Sequence, residues 1–150
     1  ITDNPYENIR IGTNARFDAI QAGVILSKLK IFDEELNRRE STSRIYTQEL
    51  KNIVETPITT NQVKSAWAHY TIRTRDRDGL REFLTKNSIP TMIYYPKGMH
   101  EQTAYQKYHS GDPLIVSEKL CGEVLSLPLH PYMSEDQVYY VSGKVKEFIA

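Results

Sequence analysis

The chain has 150 residues, enough for one domain or one sub-domain with a core of its own. Hydrophobic residues make up 39% and charged residues 25%, which excludes a disordered chain. The 19 basic side chains balance 19 acidic ones, so charge gives no reason to expect nucleic acid or an anionic membrane as partner.

Cys121 is the one cysteine, so no intrachain disulfide forms and no cysteine zinc site is built; it fits a reducing cytoplasm. No apolar run approaches the roughly 18 residues of a membrane span, and no signal-peptide pattern opens the chain. The start at Ile1, without methionine, predicts a piece of a longer protein.

Residues 1–16 read as a polar, extended lead-in. From Phe17 the pattern turns helical: Ala19, Ala22, Ile25 or Leu26, Leu29, Phe32 and Leu36 recur every three or four residues, and the stripe continues through Ser43, Tyr46, Leu50 and Ile53. This predicts one long helical region over 17–55, or two helices joined near Asn37–Ser41. The charge run Asp33, Glu34, Glu35, Arg38, Arg39, Glu40 reads as a solvated helix face. Pro57 ends the region.

An α/β layer is expected over 56–150. Ser65–Arg73 is a predicted strand, with Trp67, His69, Thr71 and Arg73 on one face and Ala66, Ala68, Tyr70 and Ile72 on the other. Asp76 caps a short helix bearing Leu80, Phe83 and Leu84. Thr91–Tyr95 is a second predicted strand, stopped by Pro96. A short helix near Gln102–Tyr108 and another from Pro113 to about Gly122 follow. Val124–Leu127 is a third strand, closed by Pro128. Ser134 starts a last helix with the stripe Val138, Val141, Val145, Ile149. The class is α+β: long helix first, then a small, mainly antiparallel sheet covered by helices.

No catalytic set assembles from residue types. His69, His100, His109 and His130 lack the i, i+4 spacing of a helical metal pair, so no metal site is expected. His69, on a strand, reads as structural. Ser126 and Ser134 lie in no G-x-S-x-G elbow, and no Gly-rich phosphate loop occurs.

Two segments carry polar groups suited to a site. In Gly12–Asp18, Asn14 either caps the following helix or serves a ligand, and Arg16 either meets an anion or pairs with Asp18. In Tyr94-Tyr95-Pro96-Lys97-Gly98-Met99-His100, two tyrosines, a lysine and a histidine converge at a strand end, either as a loop-built site or as solvated groups. Leu127-Pro128-Leu129-His130-Pro131 reads as a rigid structural turn.

Gly12-Thr13-Asn14-Ala15-Arg16-Phe17-Asp18-Ala19-Ile20-Gln21-Ala22 resembles the G-x-N-x-R-x-D-x-x-Q-A signature of the DegT/DnrJ/EryC1/StrS sugar aminotransferases. Ser88-Ile89-Pro90-Thr91-Met92-Ile93-Tyr94-Tyr95-Pro96 is similar to that family's G-I-x-T-x-x-H-Y-P. His100-Glu101-Gln102-Thr103-Ala104-Tyr105 resembles its H-x-Q-x-A-Y, and Val124–Pro131 its V-L-S-L-P-x-H-P. The four matches stand in the family's order from Gly12 to Pro131. Tyr94 replaces a common histidine and Ser88 a common glycine.

The resemblance implies the C-terminal small domain of a fold type I enzyme dependent on pyridoxal 5'-phosphate (PLP). Such an enzyme moves an amino group from a donor, commonly glutamate, to a nucleotide-linked keto sugar, as a cytoplasmic homodimer. It implies that Asn14 reaches the PLP phosphate of the partner subunit, with Arg16 beside it or holding the loop. Tyr94, Tyr95 and His100 fall near the sugar-nucleotide pocket. The large domain with its catalytic lysine should precede residue 1, so no catalytic residue is expected here and the chain should be inactive alone. Its apolar helix around Ile20, Val24 and Leu29 should then favour self-association. Two other readings stay open from the residues: a stand-alone module binding a small ligand or RNA through Trp67 and Tyr70, and a truncated dimerisation remnant.

Overall fold

The computed structural model of the protein describes residues 17–60 and 62–150. The chain divides into two compact units, Ile1–Asp33 and Glu34–Ala150.

The described part of the first unit is mainly one helix, α1 (Ala19–Leu29), and none of its residues is buried. Asp18, in extended backbone, holds the N-cap position and makes no side-chain cap bond. The two readings of Asn14 and Arg16 fall on residues outside those described.

The expected junction near Asn37–Ser41 is not where the helical region breaks. A turn at Lys30–Ile31, with the Ile31 N–H donating to Lys28 O at 3.2 Å, separates α1 from α2 (Phe32–Leu50). α2 runs through residues 37–41 unbroken. Charged side chains reinforce the helix here: Arg38 meets Glu34 at 2.5 Å and Arg44 meets Glu40 at 3.1 Å, both four residues apart. Ser41 and Thr42 hydroxyls also donate to the carbonyls of Asn37 and Arg38.

The solvated-face reading of this run holds only in part. Arg39 Nη1 donates to Trp67 O at 3.1 Å, and Glu40 accepts from the Trp67 indole N–H. These bonds hold a bend, because Trp67 has φ +46° in the left-handed region. The predicted strand Ser65–Arg73 accordingly shrinks to β1 (Tyr70–Arg73). Trp67 does not share the outer face with Thr71; its ring packs 5.7 Å from Tyr70, which packs 5.0 Å from Tyr46 of α2. The expected alternation holds inside β1, where Tyr70 and Ile72 are buried and Thr71 and Arg73 half-buried.

β1 pairs antiparallel with β2 (Val124–Leu127), in the register Tyr70 with Leu127 and Ile72 with Leu125. The predicted strand Thr91–Tyr95 reduces to one bridge: Met92 and Ser126 exchange backbone bonds of 3.1 and 2.8 Å along the other edge of β2. Pro90 and Pro96 flank this segment and donate no backbone bond, which keeps the pairing short. Glu55 bridges Arg73 on the outer edge of β1, so the pleated layer reads Glu55, β1, β2, Met92.

Helices cover this layer. α3 (Arg77–Lys86) is capped by Asp76, whose Oδ1 accepts from Gly79 N at 3.0 Å; a Cβ at Gly79 would stand 2.5 Å from Asp76 Oδ2. α4 (Ile115–Glu123) leads into β2 without a break. α5 (Glu135–Ile149) opens with a reciprocal box between Ser134 and Gln137. The single helix expected near Gln102–Tyr108 is instead two 3-10 turns, Met99–Glu101 and Gln106–Tyr108. Tyr46 and Leu50, Tyr70 and Ile72, Leu80 and Leu84, Leu125 and Leu127, and Val138, Val141 and Val145 meet in one core. Burying each such side chain stabilises by about 1.5–3 kcal/mol. Arg77 is the charged member of the interior. Its guanidinium donates to the carbonyls of Cys121 and Val124 at 3.0 and 3.3 Å and to Asp78, tying α3 to the α4–β2 join.

Candidate functional site

The Met92 bridge decides where the candidate loop begins. Beyond it the chain leaves the layer, and from Tyr94 onward it runs in irregular backbone. Tyr94 is half-buried. Its ring lies 4.3 Å from the His69 ring and 5.7 Å, edge-on, from the Tyr95 ring; the Tyr94–Tyr95 peptide is cis. Tyr95 is 71% exposed, so its hydroxyl is open to a ligand. Lys97 is also exposed.

His100 belongs to a different set of contacts. Its side chain is 10% exposed, its Nε2 lies 3.2 Å from Glu118 Oε1, and its ring is 4.9 Å from that of His109. The Gly98 N–H donates to Glu101 Oε2 at 2.9 Å, closing the turn that carries His100. The structure thus brings Tyr94 and Tyr95 together, adds His69 to them, and binds His100 to α4. His69, His109 and Glu118 were not read as site residues. Each reaches its partner across 9 to 25 positions of chain, and no local spacing marks such a meeting.

His130 keeps its structural reading: its Nδ1 accepts from Tyr132 N–H at 3.2 Å and closes the turn before α5. Beside it lies a mainly apolar cavity of about 430 Å³ lined by Ile89, Pro90, Pro128, Met133, Tyr140 and Val141, among others. Thr91 Oγ1 is buried with no hydrogen-bond partner among the described residues. Also among the described residues, no group of three or more His, Cys, Asp or Glu is placed to hold a metal ion, and no helix is long and apolar enough to cross a membrane.

All ten lysines fall within the described residues and none is buried. A lysine that forms a Schiff base is activated by desolvation or by a neighbouring cation in an enclosed site.

Residues 2–146 match the model of the DegT/DnrJ/EryC1/StrS aminotransferase family. The chain is 31% identical over 144 residues to a dTDP-3-amino-3,6-dideoxy-alpha-D-galactopyranose transaminase of Aneurinibacillus thermoaerophilus, covering 95% of this chain and 39% of that protein. It is 35% identical over 132 residues to a UDP-2-acetamido-2-deoxy-3-oxo-D-glucuronate aminotransferase of Pseudomonas aeruginosa, covering 87% of this chain and 36% of the relative. The crystal structure of a DegT DnrJ EryC1 StrS aminotransferase from Brucella abortus superposes with a TM-score of 0.92 at 42% identity, over 99% of this chain and 40% of that one. The chain thus spans about two fifths of the length of the proteins it matches. Sequence match, fold and the α+β class agree: the chain belongs to the DegT/DnrJ/EryC1/StrS aminotransferase family.

Proposed function

We propose that this chain is the C-terminal small-domain part of a PLP-dependent aminotransferase. The whole protein moves an amino group from glutamate to a keto group on a nucleotide-linked sugar, for cell-surface polysaccharide or related sugar synthesis. The observation that carries this reading is the superposition on the Brucella abortus aminotransferase over 99% of this chain but only 40% of that one. Relatives named as transaminases of dTDP- and UDP-linked sugars support the substrate class. The proposed organisation is a lead-in over 1–16, a helical region over 17–55 and the α/β layer over 56–150.

The lysine that would hold PLP is proposed to lie in the part of the relatives' length that this chain does not span. No chemical step is assigned to this chain, and alone it is inactive. Its proposed contribution is contacts. The Asn14 amide donates to the PLP phosphate of the partner subunit in a cytoplasmic homodimer, with Arg16 holding the same loop. Tyr95 offers an exposed hydroxyl to the nucleotide sugar, and Tyr94, backed by His69, sets the width of that pocket. A tyrosine in place of the family's common histidine is larger and carries a hydroxyl, so it selects substrate by shape and hydrogen bonding.

Expression of the complete reading frame tests this. The expected product carries PLP absorbance that borohydride reduction fixes to the protein, and aminates a dTDP- or UDP-linked keto sugar at the expense of glutamate. Tyr95→Phe should raise KM for the sugar about three- to tenfold, the loss of one substrate hydrogen bond. A complete product without cofactor or transaminase activity overturns the reading.

A further inference from the structure

His100 has its polar atoms occupied inside the chain. Glu118, as a carboxylate, only accepts, so His100 Nε2 is the protonated nitrogen of their 3.2 Å bond. The same oxygen, Glu118 Oε1, accepts the Leu114 N–H at 2.9 Å. One carboxylate therefore joins both ends of the excursion between Gly98 and Leu114. The other side of the imidazole packs on Gly98: a Cβ there would stand 2.8 Å from His100 Nδ1 and 2.5 Å from Cε1. His109, from the middle of the excursion, lies against the same ring. His100 is nine-tenths covered, whereas Tyr95, five residues earlier, is largely exposed.

We propose that His100 and Glu118 form a latch, with Glu118 the positioning residue that holds His100, and through it the Gly98 turn, so that the neighbouring Tyr94–Tyr95 pair is presented to the nucleotide sugar. His100 acts by fixing the loop rather than by touching substrate. The latch explains why glycine stands at 98: a side chain would push the imidazole off Glu118. The substrate half of the inference rests on the transaminase reading; the loop half does not.

The test uses the complete protein and two readouts, hydrogen exchange of residues 98–114 and steady-state kinetics with the nucleotide-linked keto sugar. Glu118→Ala, His100→Ala and Gly98→Ala should each speed exchange in 98–114 and raise KM for the sugar about tenfold, with kcat within about twofold, the scale of one charge-assisted hydrogen bond. His100→Gln, whose amide nitrogen can sit where Nε2 sits, should restore both readouts. The Glu118→Ala, His100→Ala pair should be no worse than either single change. Unchanged exchange in Glu118→Ala overturns the latch. So does a His100→Gln variant as impaired as His100→Ala with normal exchange, because the imidazole would then be touching substrate. If the complete protein shows no transaminase activity, the function reading fails, and the exchange data alone decide the latch.

Discussion

Helices α1 and α5 both carry apolar residues at helical spacing and have opposite fates. α1 carries Ile20, Val24, Ile25, Leu26 and Leu29, and Ile20 is 83% exposed; nothing on this helix is buried. α5 carries Val138, Val141 and Val145, all buried, and its Lys146 reaches Glu49 of α2. Both show helical spacing of apolar residues, so periodicity locates a face but not its partner. In α5 the partners are α3, through Phe83 on Phe148, and the shared core of the same unit. In α1 no residue is buried.

The largest expected effect should come from matched truncations in the two regions. Leu84→Ala, at a fully buried position, should destabilise the Glu34–Ala150 unit by about 2–5 kcal/mol. Ile20→Ala in α1 should change unfolding of the isolated chain by no more than about 0.5 kcal/mol. Urea denaturation measures both, and equal costs would break the comparison.

Self-association comes next. The isolated chain should bind an apolar-reporting dye and sediment as more than a monomer, and Ile20→Lys with Val24→Lys should abolish both. A monomeric, dye-silent parent chain would contradict the contrast drawn from α1.

A smaller effect is expected at Tyr46. Its hydroxyl donates to Pro128 O at 2.9 Å, and Tyr46→Phe should cost about 1–2 kcal/mol by leaving that carbonyl unpaired. Burial, with Tyr70 beside it, also pushes the Tyr46 hydroxyl above its ordinary value of 10. The unfolded chain releases that proton first. The contribution is therefore complete below about pH 10 and is lost as pH rises above it. Denaturation midpoints should fall above pH 10 in the parent chain and less steeply in Tyr46→Phe.

The smallest effect is Ser134→Ala, about 1 kcal/mol from loss of the α5 cap, read as a modest fall in midpoint.

Local chemistry was legible wherever it acts over three or four residues. The Asp76 and Ser134 caps, the α5 stripe, the closing of β2 by Pro128 and the alternation inside β1 all follow from neighbours in sequence. The ordered motifs from Gly12 to Pro131 were legible for the same reason, since each is a short string, and they sufficed to identify the family. The break of the helical region was not. The apolar stripe runs on through Lys30–Ile31, where the turn falls, and the i, i+4 pairs Arg38–Glu34 and Arg44–Glu40 carry the helix across the expected junction. The strands came out too long because β propensity does not register the bend at Trp67 or the single bridge at Met92.

Sequence alone thus determined the α+β class, the caps and the loop that holds Tyr94, Tyr95 and His100. Tertiary structure alone decided what each of those three meets. Tyr94 packs on His69, Tyr95 stays open, and His100 is taken up by Glu118, 18 residues further on. The physical reason is range: caps and stripes depend on the helix and strand repeat, whereas a side chain's last hydrogen-bond partner depends on which distant segment the packed layer brings to it.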